Sequence, residues 1–404
     1  MSGTLLVRGA RQLLTLRGSA EPRRGSALQE LGIIRDGALL IEDGRVLEVG
    51  VSRRVENLAL GRRSQELDAT GRVVMPGFVD CHAHLVRGAV WLDDHEPACG
   101  TEFTAQGLRN ASGKRLEGRA RQFVDAMARH GTTTLEAKAG HGLDARSELK
   151  ILRAQCKLDR APLDIASTFL TPRSVPAPDA GYLAWLCAEL LPAIRRRKLA
   201  RFAGFRCGGV FSDEEGRRYL ATARDLGFRI KIHAGQSPAG DAVRLAVETE
   251  AASVEHLRDA GAAEAGLLAR SSTMAVLLPG EAFHPGMRCA RARQLIDAGA
   301  AVAVGSNFNP GAASTYNMAA IVALACARLG MSPAEAICAA TFNAACAIGA
   351  GHAAGSLEVG KPADLIVLNA PDYREIPYHF GVNLVNRTVK RGVTIYQEGK
   401  VAAR

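Results

Sequence analysis

Gly77-Phe78-Val79-Asp80-Cys81-His82-Ala83-His84 begins apolar and ends on two histidines two residues apart. In an extended chain alternate side chains share a face, so His82 and His84 point the same way. Seven further segments have the same build, short and rich in small or β-branched residues: 132–138, 163–171, 201–207, 228–233, 252–256, 273–278 and 300–306. Helix-length amphipathic stretches separate most of them, among them 118–129, 214–226, 239–248 and 291–298. Eight alternating units place the chain in the α/β class and predict a (β/α)8, TIM-like barrel rather than an open doubly wound sheet. No Gly-x-Gly-x-x-Gly follows the first strand, which disfavours a dinucleotide fold. In such a barrel the chemistry sits at the C-terminal ends of the strands, so the polar residues that close these segments are the candidates.

The two ends of the chain read differently from the middle. Residues 38–50 carry Asp43-Gly44 between Leu39-Leu40-Ile41 and Val46-Leu47, a strong hairpin signal. The tail repeats the style with Ala363-Asp364-Leu365-Ile366-Val367-Leu368 and a hairpin-like pair over 389–401. Neither end is long enough for a stable sheet alone. The expectation is one small composite β-sandwich domain built from residues 1–74 and 355–404 around a barrel over 75–354.

Composition removes several classes. With 47% hydrophobic and 23% charged residues in 404, the chain has ample core-forming material and is neither disordered nor collagen-like. The nine cysteines include no Cys-x-x-Cys pair, so a disulfide framework or cysteine zinc site is disfavoured and a reducing cytoplasm is expected. The longest apolar run, 318–327, stops at Arg328, too short for a membrane span. The first twenty residues carry arginines and no acid before Glu21, as a transit peptide does, but 5–16 also reads as an ordinary first strand. The formal charge of +10 raises the question of nucleic acid. Its densest run, Arg195, Arg196, Arg197, Lys198 and Arg201, follows the helix-like stretch 182–191, where cations complement the helix dipole. No aromatic interleaving accompanies it, so a nucleic-acid partner is not expected.

His82 and His84 do not stand alone. His233 closes the fifth strand segment and His256 the sixth, at the mouth where the first pair must lie. Neutral imidazoles suit a divalent transition metal, and three of them leave a position open for water. The alternative is a set of hydrogen-bonded core histidines. Lys138 shares a strand face with Glu136, which allows a buried ion pair or a carbamylated lysine. Cys81 and Cys207 read as small core residues.

These residues resemble the amidohydrolase superfamily, and the wider text resembles its imidazolonepropionase branch. The supporting strings are Met75-Pro76-Gly77-Phe78-Val79-Asp80, Lys138-Ala139-Gly140-His141-Gly142-Leu143, Leu277-Leu278-Pro279-Gly280, Phe308-Asn309-Pro310-Gly311, and 355–364 from Gly355-Ser356-Leu357 to Pro362-Ala363-Asp364. The likeness runs from about residue 37 to 399 and fades between 87 and 118, where the family's substrate loop is not recognisable. The resemblance implies metal-dependent hydrolysis of a cyclic amide, 4-imidazolone-5-propanoate, to N-formimino-glutamate in histidine breakdown. It implies one divalent metal, Zn or Fe, held by His82, His84, His233 and the last-strand position. His256 would polarise the carbonyl. A homodimer paired through outer helices is the implied assembly.

The last-strand position holds Asn307 where the family has a metal-contacting aspartate that moves the proton. An amide oxygen still approaches a cation, but it is no general base, and losing such help removes a factor of roughly 10² to 10⁴. Arg173 stands where a histidine is expected, His141 for a tyrosine, Cys207 for a glutamate and Gly235 for an aspartate, while Gln236 is an amide the family tolerates. His256, Asn307 and Gln236 are therefore the catalytic candidates, and Arg87, His141, Arg173 and Asn309 the substrate-binding ones. A guanidinium of Arg87 or Arg173 suits a small acidic heterocycle. Three readings stay open: an imidazolonepropionase-like hydrolase, an amidohydrolase or deaminase for another acidic amide or lactam, and a catalytically silent metal- or ligand-binding relative.

Overall fold

The computed structural model describes residues 3–18, 20–59, 64–86, 101–173, 175, 181–235, 238–280, 289–309, 313 and 315–399. The N-terminal strands are β1 (Thr4–Leu14), β2 (Ile33–Glu42), β3 (Arg45–Val51), β4 (Ser64–Asp68) and β5 (Val73–Pro76). The middle of the chain supplies β6 (Phe78–Ala83), β7 (Thr132–Ala139), β8 (Asp164–Leu170), β9 (Phe202–Arg206), β10 (Arg229–His233), β11 (Ser253–Glu255), β12 (Met274–Leu277) and β13 (Val302–Val304). The tail adds β14 (Leu365–Leu368), β15 (Val385–Lys390) and β16 (Val393–Gln397).

Strands β6 to β13 pair in parallel in chain order, one inside each segment expected from the sequence. Every residue of β6 and β7 is buried, as parallel strands covered by helices require. The ends of the sheet meet just past β13. Ala83 bridges Phe308 in parallel, the His84 N–H donates to the Phe308 carbonyl (2.8 Å), and the Asn307 N–H donates to the His82 carbonyl (2.9 Å). Asp80 fastens the same seam, its Oδ1 accepting from the Ser306 N–H at 2.9 Å and the His82 N–H at 3.2 Å. The barrel is thereby closed, and it brings the chain around 307 against the first histidine pair.

The terminal strands form a second sheet, ordered β16-β15-β14-β5-β1-β2-β3 with β4 added beside β1. β1 is long enough to serve two partners: Thr4 to Arg8 pair with β4, and Gln12 and Leu13 pair with β5. Between these halves its register slips at Val7/Ala10, with Gly9 at φ +72°. The expected sandwich is thus one continuous sheet sharing β1, its buried faces meeting in a cluster that includes Val7, Leu13, Leu39, Val74, Leu365 and Val389. Asp43-Gly44 (φ +50° and +76°) turns β2 into β3, the positive-φ pair a two-residue hairpin needs. Arg391-Gly392 does the same between β15 and β16. Among the described residues no helix is long and apolar enough to cross a membrane.

Candidate metal centre

The strand ends deliver the histidines to one place. His82 is on β6 and His233 on β10, while His256 follows β11 at φ +79°. Strict alternation would turn His256 away from the face used by Glu255. The left-handed backbone at His256 and Leu257 returns it to the barrel interior. One nitrogen from each of His82, His233 and His256 lies within 4.8 Å of the others, and all three residues are buried. Nε2 of His256 and Nε2 of His233 are 2.7 Å apart. His84 lies on the other side of His82, ring centroids 5.3 Å apart, and its Nδ1 is 2.9 Å from Nε2 of His141.

Burial keeps the His82 and His233 rings neutral. It depresses His82 to about 4 against an opposing pull from Glu255. It holds His233 well below the ordinary range, aided by the cationic Arg206, whose Nη1 is 3.2 and 3.1 Å from Nδ1 and Nε2 of that ring. Nε2 of His82 has no hydrogen-bond partner among the described residues although it is fully buried. An orphaned imidazole nitrogen beside two more buried imidazoles is the donor set of a divalent transition metal, so the residues present fit such an ion.

A layer of full charges lies directly beneath. Lys138 Nζ is 2.8 Å from Glu136 and 2.9 Å from Glu255, and Lys231 Nζ is 2.6 Å from Glu136. Burial alone would raise both carboxyls; the two ammonium groups outweigh it for Glu136, and Lys138 with His82 for Glu255, so both stay below the usual carboxylate range. Glu255 Oε2 also reaches His82 Nδ1 at 3.0 Å, at an angle poor for a hydrogen bond. The expected Lys138–Glu136 pair is therefore half of a four-membered network. Lys231 and Glu255 were not singled out from the sequence, though period-two alternation puts Lys231 on the face of His233.

The loop after β7 carries His141. Glu148 orders it by accepting from the N–H groups of Gly140 (2.9 Å), Gly142 (2.6 Å) and Leu143 (3.3 Å). Gly140 is required there, at φ +103°, since a Cβ would lie 1.9 Å from the Leu170 carbonyl oxygen. Burial raises Glu148 to about 7 despite those three donors. Asn307 is buried with φ +51°, a conformation in which Asn and Asp are both enriched, so exchanging one for the other alters charge rather than backbone. Asn309 is half-buried and pairs its backbone with Ala313. Arg173 is exposed on the loop after β8, at the same end of the barrel. Arg87 and Gln236 lie outside the described residues. Cys81 and Cys207 are buried, with thiols pushed up by burial.

A profile of the amidohydrolase family matches residues 73–395. The chain is 41% identical to an imidazolonepropionase of Symbiobacterium thermophilum, covering 99% of both chains. It is 39% identical to an imidazolonepropionase of Geobacillus kaustophilus, covering 98% of this chain and 99% of that one. Among solved structures, an adenosine deaminase from Xanthomonas campestris with bound zinc superposes with a TM-score of 0.69 at 18% identity, over 96% of this chain and 92% of that one. The last likeness is one of fold.

Proposed function

The chain belongs to the amidohydrolase family, and from that premise we propose that it hydrolyses a cyclic amide C–N bond as imidazolonepropionases do, opening 4-imidazolone-5-propanoate. The observation that carries this reading is the convergence of buried imidazoles at the C-terminal end of the barrel, in a chain colinear with those enzymes over nearly its whole length. A zinc or iron dication held there would activate water by lowering its pKa toward neutrality.

His82, His84 and His233 are the proposed ligands, with the Asn307 amide beside them and His256 donating to the substrate carbonyl oxygen. Because Asn307 does not ionise, the proton passing from water to the leaving nitrogen falls to His256 in this chain. The approach of His256 to His233 also suits it as a third ligand. The variant His256→Ala separates the two roles: metal is retained and turnover lost if His256 is the donor, and both are lost if it is a ligand. Arg173, exposed on the loop after β8, is the residue assigned in this reading to the acidic arm of the substrate. If Arg173→Ala leaves KM for a carboxylated substrate unchanged, that assignment fails.

The deciding test compares the natural chain with Asn307→Asp on imidazolonepropanoate, with zinc and iron quantified in both. We expect stoichiometric metal in both, turnover by the natural chain, and turnover greater by roughly 10²- to 10⁴-fold in the Asp variant. Turnover confined to the Asp variant would instead make the natural chain a silent metal-binding relative.

A further inference from the structure

At the opposite end of the barrel from the histidines, the starts of β7, β8 and β9 floor a cavity of about 970 Å³. Thr134, Ile165, Ser167 and Ala200 form part of its base. Six cations line it: Arg160, Arg195, Arg196, Lys198, Arg201 and Arg391. They include most of the basic run 195–201, which a helix dipole alone does not account for, since Lys198 and Arg201 lie beyond the helix Leu191–Arg196.

Only two carboxylates share the cavity, Asp159 and Asp164. Asp164 is already taken by Lys390 (2.7 Å) and Arg391 (2.5 Å). Asp159 accepts from the Ile165 N–H at 2.8 Å and forms no ion pair among the described residues. Five cations therefore line the cavity with Asp159 as the one acid not already engaged by a cation, an excess of positive charge that an anion would offset.

One further observation points to a ligand. Thr134, 3% exposed, lines the cavity with a hydroxyl that has no hydrogen-bond partner among the described residues. The volume is that of a pocket for a nucleotide-sized molecule, and His352 is the one aromatic ring among its lining residues.

We propose that this basic cavity binds a small, multiply charged phosphate-bearing molecule, at a site separate from the metal centre. Guanidinium groups suit phosphate through paired N–H donors, and several of them around a concave floor select a chain of phosphates over a single one.

Calorimetric titration at about 150 mM salt, with the Debye length near 8 Å, suppresses loose surface attraction. The probes are orthophosphate, inorganic triphosphate and a nucleoside triphosphate, added to the full-length protein. Triphosphate should bind at least tenfold more tightly than orthophosphate. The double variant Arg196→Ala/Lys198→Ala, both at exposed positions, should weaken it at least tenfold more than Arg53→Ala/Arg54→Ala on a distant helix. Equal affinity for inorganic and nucleoside triphosphate would assign the site to the phosphate chain, and tighter binding of the nucleoside form would place its base and ribose in the cavity as well. Absence of millimolar binding by any probe, or equal weakening by both double variants, would overturn the proposal.

Discussion

Two layers stacked in one barrel, built from the same strands, handle polarity in opposite ways. The lower layer holds Glu136, Lys138, Lys231 and Glu255, fully charged, each within 2.9 Å of an opposite charge. The upper layer holds His82, His233 and His256, also buried but, among the described residues, with no acid against their rings except Glu255 below. A low-dielectric interior accepts full charges only when they are paired. The lower layer is thus complete in itself. The upper layer keeps lone pairs turned toward one another, an arrangement that a cation, and no further side chain, completes.

The largest expected effect comes from breaking the complete layer. Lys231→Met strands negative charge on Glu136 and Glu255, and removing one partner of a buried pair costs about 3–5 kcal/mol. Urea unfolding should register that loss. Adding Glu136→Gln, which leaves the Lys138–Glu255 pair at 2.9 Å, should recover most of it. If Lys231→Met costs less than about 1 kcal/mol, the lower layer behaves as a surface ion pair does and the contrast between the layers disappears.

Glu148 lies between the two cases, a buried carboxyl satisfied by backbone N–H groups alone. Its pKa rises from 4.5 to about 7, so the folded chain binds its proton more tightly than the unfolded chain does. Stability from this group is therefore fully present below pH 4.5 and is lost as pH rises toward about 7, by up to about 3 kcal/mol. His82 and His233, with depressed pKa values, act in the other direction across the same range, losing stability as pH falls. The difference between the natural chain and Glu148→Gln isolates the carboxyl: urea midpoints at pH 5 and pH 8 should diverge, with the variant gaining at pH 8 relative to its parent. Equal differences at the two pH values would mean that the three N–H donors keep Glu148 ionised throughout.

The two layers were not equally legible in the sequence. All eight barrel strands were, because burial on both faces leaves short apolar runs that contrast with the amphipathic helices between them. The histidines were too, since each closes a strand and the chemistry of a barrel gathers at those ends. Lys231 and Glu255 were missed. Alternation tells which way a side chain points but not which residue it meets across a barrel, and that pairing depends on closure through Ala83 and Phe308. Glu148 was missed for another reason: its partners are backbone N–H groups, which leave no mark in the side-chain text. Arg206 closes β9 as the histidines close theirs, so the rule that found His233 reaches it as well. The double pairing of β1 was not legible, because nothing in its composition announces that a single strand serves both β4 and β5.

The finest distinction concerns the contact joining the layers, His82 Nδ1 to Glu255 Oε2 at 3.0 Å. A carboxylate behind a ligand imidazole fixes which ring nitrogen carries the proton and increases the basicity of the other, and losing it weakens metal affinity by about 10- to 100-fold. Glu255→Gln alone confounds this with an unbalanced lysine below. Joining it to Lys138→Met restores neutrality, because Glu136 and Lys231 remain paired at 2.6 Å. The double variant should then keep most of its urea stability while its zinc dissociation constant, measured by competition with a chelator, rises by about 10- to 100-fold. Unchanged zinc affinity with unchanged stability would mean that the two layers are neighbours in space only, and that the charged network serves the barrel rather than the site.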